Sequence, residues 1–193
     1  MKNRERAACT RANLVLAAAR HFDQHGYVGT TLNSVCAEAN VTLGAVTFHF
    51  RSKAALASAV VEEGIGELRR LSMASSATGR PLRDLSSLTL RVAAALQTAV
   101  LARAAVRLVE EGHVNSSWPG AFRTEVLGLL EEASRSRDLA VDVRPATAAA
   151  LVMYLLEGVA AQSRRAAAER GSTLADFAEI WRAVLGGLAP PMP

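Results

Sequence analysis

Thr42, Ala45, Thr47 and His49 fall within a stretch of eight residues, and Val46 and Phe50 recur among them at the spacing of a buried helix face. On a short helix the first four side chains face outward while Val46 and Phe50 pack inward. Hydroxyls, methyl groups and an imidazole in this arrangement suit contacts to phosphate oxygens, base edges and thymine methyls; they do not name a base sequence by themselves. The alternative for His49 is packing against the helix that follows. His21 and His25 stand four apart, a spacing that can ligate a metal. No adjacent carboxylate completes a site and the chain adds only His49 and His113, so neither a metal nor a cofactor is expected. Glu110-Glu111 and Glu131-Glu132 read as solvated helix faces. No Ser-His-Asp order, glycine-rich phosphate loop or Cys-x-x-Cys pair occurs in a context that suits catalysis, and an enzyme is not expected.

The charge pattern favours the nucleic-acid reading. The 193-residue chain carries a net charge of +4, and residues 1–53 hold seven Lys or Arg against three Asp or Glu, so the rest is balanced. A polyanion partner for the first quarter alone follows, although a solvated basic face would show the same composition. Half of the residues are hydrophobic, an ordinary globular proportion. Cys9 and Cys36 do not make a disulfide framework, and a reducing cytoplasm is the expected location. The most apolar run, residues 148–161, is interrupted by Glu157 and falls short of the roughly 20 residues of a membrane span; neither a signal peptide nor a membrane helix is expected.

The elements that must position these groups are helices throughout, an all-α fold. The first covers residues 10–24, with Thr10 as cap, Leu14, Ala18 and Phe22 on one face and Gly26 as stop. Thr31 caps a helix over 32–39, in which Leu32, Val35, Cys36 and Ala39 keep helical spacing; Asn40 ends it, Val41 enters the core, and Thr42 caps a third helix over 43–50. Two short helices joined by a tight turn and braced by a longer one suit a helix-turn-helix, and equally a purely structural hairpin. Further helices are predicted over 53–75, 82–101, 102–112, 120–137, 145–168 and 173–188, with loops at 75–81 and 112–120, a break at Gly171-Ser172, and Pro145 in the first turn of its helix. The broad apolar faces of the last two helices, including Leu151, Leu155, Val159, Ile180 and Val184, either close the domain core or pair with a second copy as a four-helix bundle, and a helix-turn-helix favours the dimer.

The run TRANLVLAAARHFDQHGYVGTTLNSVCAEANVTLGAVTFHFRSKAAL, residues 10–56, resembles the DNA-binding domain of the tetracycline-repressor (TetR) family. Phe22, Gly26-Tyr27, Thr30-Thr31, Val35, Ala39, Val41, Gly44 and Phe48-His49-Phe50 followed by Ser52-Lys53 carry the likeness. Val41-Thr42, Gly44-Ala45, Arg107-Leu108 and Glu179-Ile180-Trp181 are similar to the γ-butyrolactone receptor subgroup, regulators of antibiotic biosynthesis. The resemblance implies a helix-turn-helix domain over 1–53 and a ligand-binding and dimerisation domain over 54–193. It implies a homodimeric repressor that binds a pseudo-palindromic operator and leaves it when a small apolar signal binds. The DNA contacts it implies are Thr31, Thr42, Leu43, Gly44, Ala45, Thr47, Phe48, His49 and Lys53. The ligand is expected among Leu90, Val106, Trp118, Phe122, Val126 and Val152. Thr47 stands where the family usually has a phosphate-touching tyrosine, and Leu43 where the receptors commonly have lysine; both changes remove backbone contacts. Trp118 lies about one turn before the position of the receptors' pocket tryptophan, near Ala121, and either fills the same space or fastens the loop to the core. A homologue that answers to an antibiotic instead, and a helical carrier or interaction protein without DNA binding, are the alternatives.

Overall fold

The computed structural model describes residues 2–74, 78–168 and 177–190, and among them every regular element is a helix. In order these are α1 (Lys2–Gly29), α2 (Leu32–Ala39), α3 (Leu43–His49), α4 (Lys53–Met73), α5 (Pro81–Thr98), α6 (Val100–Glu110), α7 (Trp118–Arg135), α8 (Pro145–Ala168) and α9 (Phe177–Leu188). The expected break at Gly171-Ser172 and the expected start of the last helix at 173 lie outside the described residues. Packing divides the chain into two units, residues 1–67 with 99–116 and residues 68–98 with 117–193.

α1 begins well before the predicted 10–24. Residues 5–9 contain no breaker, and Thr10 does not cap; its hydroxyl donates 2.9 Å to the Arg6 carbonyl one turn back, inside the helix. Gly26 does interrupt the helix, at φ 68° and ψ −178°, before a last short stretch to Gly29. Between α5 and α6 the sequence offers no strong breaker. The expected boundary at 101–102 moves to Ala99, extended at φ −101° and ψ 107°.

In the first unit the fold does not follow a division at residue 53. α6 packs along α1 and is part of the same body, because its Ala102, Ala104, Ala105 and Leu108 are fully buried and allow close approach. α1 contributes Leu14, Val15, Ala18 and Phe22 to this core, α2 Val35, α3 Val46, and α4 Leu56 and Val60, all without exposed surface. α4 meets α6 at Gly64, where an added Cβ would lie 2.3 Å from the Leu101 carbonyl oxygen and 2.7 Å from the Ala105 Cβ. The absence of a side chain there lets two helix backbones meet.

In the second unit α5, α7 and α8 pack against one another and α9 lies on α5. Leu85, Leu88 and Val92 of α5, Phe122, Val126 and Leu130 of α7, and Val152 and Leu156 of α8 form the core. Trp181 of α9 is buried and donates its indole N–H to the Ser86 hydroxyl at 2.9 Å. Pro145 is the first residue of α8, as its missing N–H favours. The apolar run of α8 is longer than the sequence suggested, because flanking alanines extend it. Pro145–Ala166 has the length and hydropathy of a membrane span, but packing on α5 and α7 supplies its apolar side with protein partners.

Replacing Gly64 by alanine forces a methyl group into helix backbone that cannot turn aside. The expected cost is about 1–3 kcal/mol, read as a lower urea midpoint with an unchanged m-value. Full retention of the midpoint would contradict the close α4–α6 approach.

Candidate nucleic-acid interface

The two short helices are held by their own caps. The Thr31 hydroxyl accepts from the Ser34 N–H at 3.0 Å, and the Ser34 hydroxyl oxygen accepts the Thr31 N–H at 3.2 Å, closing a reciprocal box at the start of α2. Asn40 ends α2 in the left-handed region at φ 52°, and Val41 N–H then donates to the Cys36 carbonyl at 3.0 Å. Thr42 caps α3 by accepting from the Ala45 N–H at 3.3 Å. Val46 and Phe50 point into the core, which rotates the remaining positions of α3 away from it.

The positions read from the sequence as DNA contacts differ in exposure. Thr31, Thr42, Gly44 and Thr47 are exposed. Leu43 is 47% exposed and Phe48 81% exposed, an unusual state for an aromatic side chain. Ala45 and His49 are half-buried, and the His49 ring meets the Phe48 ring edge-on with centroids 5.1 Å apart. Lys53 differs. Its ammonium donates to the carbonyls of Tyr27 at 2.9 Å and Thr30 at 3.0 Å, and lies 4.3 Å from the centre of the Tyr27 ring. It therefore closes the end of α1 rather than projecting outward.

The basic excess is also partly engaged in the fold. Arg11 pairs with Glu63 at 2.8 Å while covering the Phe50 ring, and Arg20 pairs with Glu38 at 2.8 Å. Arg51, next to α3, is exposed and makes no ion pair among the described residues. His21 and His25 lie 5.8 Å apart between ring centres, with His21 4.0 Å from Glu38, and no three His, Cys, Asp or Glu converge among the described residues.

Sequence reasoning missed the polar clamp that fixes the α1 terminus on α6. Asp23 and Arg103 are both buried and pair at 2.9 Å. Arg107 donates 2.6 Å to the Asp23 carbonyl and 2.7 Å to the Glu111 carboxylate, and the other Glu111 oxygen accepts the Tyr27 N–H at 2.8 Å. Glu111 is thus a partner of α1, not simply a solvated face. Gly26 leaves room for it: a Cβ there would meet Glu111 Oε1 at 2.4 Å. The available signal was Arg103 and Arg107 at a spacing of four on an otherwise apolar helix, with Glu111 four further on. Burial works to raise the Glu111 pKa, but the Tyr27 N–H and Arg107 outweigh it and hold it below 4.5.

Of the expected ligand contacts, Trp118, Phe122 and Val126 are buried along α7, Val152 is buried in α8 and Leu90 is half-buried on α5, all within the second unit. Trp118 begins α7 and stacks on Phe122 with centroids 5.1 Å apart, so it both fastens the start of the helix and belongs to the core. Val106 lies on α6, in the first unit. A cleft of about 540 Å³ in the second unit lies elsewhere, beside the start of α8, with Arg144, Thr147, Leu151, Tyr154 and Leu188 in its wall.

Residues 14–60 match the family of bacterial regulatory proteins of the tetR type. A solved γ-butyrolactone receptor, an ArpA-like protein, superposes with a TM-score of 0.80 at 30% identity, covering 96% of this chain and 90% of that one. The chain belongs to the TetR family. The TetR-family protein CprB of Streptomyces coelicolor, solved in complex with its operator sequence, has a TM-score of 0.76 at 31% identity, with 96% of this chain and 90% of that one covered. The A-factor receptor protein of Streptomyces griseus is 29% identical over 99% of this chain and 68% of its own length. Members of the TetR family are transcriptional regulators rather than enzymes.

Two outcomes test the clamp. The folded-state pKa of Glu111 is depressed, so its stabilisation is present above the unfolded value of 4.5 and lost as pH falls through the lower folded value. Glu111→Gln is expected to lower stability at pH 7 and to approach the parent protein as pH falls through the lowered folded pKa, as measured by urea unfolding across pH. Lys53→Met removes two hydrogen bonds to carbonyls and is expected to cost roughly 1–3 kcal/mol; an unchanged midpoint would show that the α1 terminus does not need it.

Proposed function

We propose that the chain is a ligand-responsive transcriptional repressor that works as a homodimer in the bacterial cytoplasm, each subunit laying α3 in a major groove of a pseudo-palindromic operator. The observation that carries this reading is the outward face of α3. It presents Leu43, Gly44, Thr47 and Phe48 to solvent although the fold has no use for them there. Thr31, Thr42, Ala45 and His49 complete the contact surface, and Arg51 supplies charge beside it. Lys53 belongs to this set as the group that orients the end of α1. The CprB relative solved on its operator supports the same placement.

The functional division is between residues 1–53, which meet DNA, and residues 54–193, which hold the ligand and the partner subunit. Leu151 and Ile180, each 39% exposed, and the exposed Tyr154 form an apolar surface on α8 and α9 suited to a second copy. The ligand is a small, mainly apolar molecule of the γ-butyrolactone type, taken up within the second unit beside Leu90, Trp118, Phe122, Val126 and Val152. The γ-butyrolactone receptor and A-factor receptor relatives support that class. Release follows if the ligand prefers the conformation whose reading heads do not match the operator spacing.

A gel shift of the purified chain with its own upstream region at low salt is expected to show a complex that an organic extract of the producing culture dissolves. A shift that the extract leaves intact points to another inducer, and no shift with any duplex removes the repressor reading. Arg51→Ala removes a positive charge beside α3; it is expected to weaken binding at low salt and to flatten log K against log salt by about 0.9.

A further inference from the structure

Base edges in the major groove offer a protein three kinds of feature: hydrogen-bond acceptors, amino donors and the thymine methyl group. The outward arc of α3 has little with which to address the first two. Leu43, Thr47, Gly44 and Phe48 follow one another around about 140° of the helix, and none carries an N–H in its side chain. The Thr47 hydroxyl already donates its proton to the Gly44 carbonyl at 3.1 Å, which leaves its methyl group and oxygen lone pairs facing out. The Thr42 hydroxyl accepts the Ala45 N–H as a cap and keeps its own proton, a single small donor at the start of the helix. His49, the one residue of α3 with a side-chain N–H, is half-buried on the far side of Phe48. The two large side chains of the arc are apolar: Phe48, 81% exposed, at one edge and Leu43, 47% exposed, at the other, separated by the notch that Gly44 leaves.

Resting on the operator-binding reading above, we infer that α3 identifies its half-site by apolar contact with the 5-methyl groups of two thymines, one against Phe48 and one against Leu43. The occupant of this face is a DNA groove rather than an apolar protein surface because of its setting. The excess of positive charge lies wholly within residues 1–53, and Arg51 stands exposed at the end of α3 without an ion-pair partner among the described residues. In this division of labour the charged groups around α3 supply attraction without base preference, and the two apolar side chains supply preference without charge.

The test removes methyl groups and nothing else. A duplex selected by the full-length protein from a random pool is resynthesised with deoxyuridine in place of each thymidine in turn, and binding is followed by fluorescence anisotropy. Two positions per half-site are expected to weaken by about fourfold each, the effect of one buried methyl-sized group, and the others to change little. Phe48→Ala should erase the difference between thymine and uracil at one of these positions, and Leu43→Ala at the other. Phe48→Leu should keep part of it. Both side chains are largely outside the core, so thermal unfolding of the variants should match the parent protein.

If every uracil duplex binds like its thymine counterpart, methyl reading is wrong while operator binding stands. If methyl-sensitive positions exist but respond to neither variant, the assignment to Phe48 and Leu43 is wrong. If no duplex is selected, operator binding itself fails, and this inference with it.

Discussion

The buried pair of Asp23 and Arg103 is the constraint on which the first unit depends. An isolated charge in a helical core is costly, and removing one partner of such a pair is far more damaging than never having had either. Here the geometry is reinforced on both sides. Arg107 covers the Asp23 carbonyl, Glu111 takes the Tyr27 N–H, and Lys53 holds the carbonyls of Tyr27 and Thr30. The end of a long helix, where backbone groups otherwise lack partners, is thereby closed by side chains from α4 and α6. The direction in which the chain enters α2 follows from this closure, and with it the orientation of α3.

Gly26 and Gly64 make that arrangement possible in different ways. Gly26 adopts a positive φ and gives up its side-chain space to the Glu111 carboxylate. Gly64 is an ordinary helical residue whose missing side chain brings α4 against the α6 backbone. α6 therefore belongs to the reading unit by packing, although it is remote from it in sequence. A boundary drawn after the helix-turn-helix motif does not describe which residues hold that motif in place.

The sequence disclosed the parts whose physics is local. Thr31 and Thr42 as caps, Asn40 in the left-handed region and the inward turn of Val46 and Phe50 all depend on interactions a few residues apart, and each is visible as a residue type at a fixed spacing. The motif from Phe22 to Lys53 likewise identified the family. What escaped was set by distant residues. Whether Lys53 reaches DNA or the end of α1 is decided by where Tyr27 and Thr30 present their carbonyls. Whether Glu111 is solvated is decided by Gly26, 85 positions earlier in the chain. The start of α1 was misplaced because a threonine can bond back to its own helix as readily as cap it, and the α5–α6 boundary because nothing local marks Ala99.

The caps of α3 have a consequence for how such a protein diversifies. Thr42 and the inward Val46 and Phe50 hold the helix, so Leu43, Thr47 and Phe48 contribute little to folding. Selection for a stable fold leaves those three positions almost unconstrained. With those positions facing DNA as proposed, two copies can drift apart in the regulatory sites they recognise after gene duplication without passing through unfolded ancestors, while the scaffold beneath α3 stays fixed.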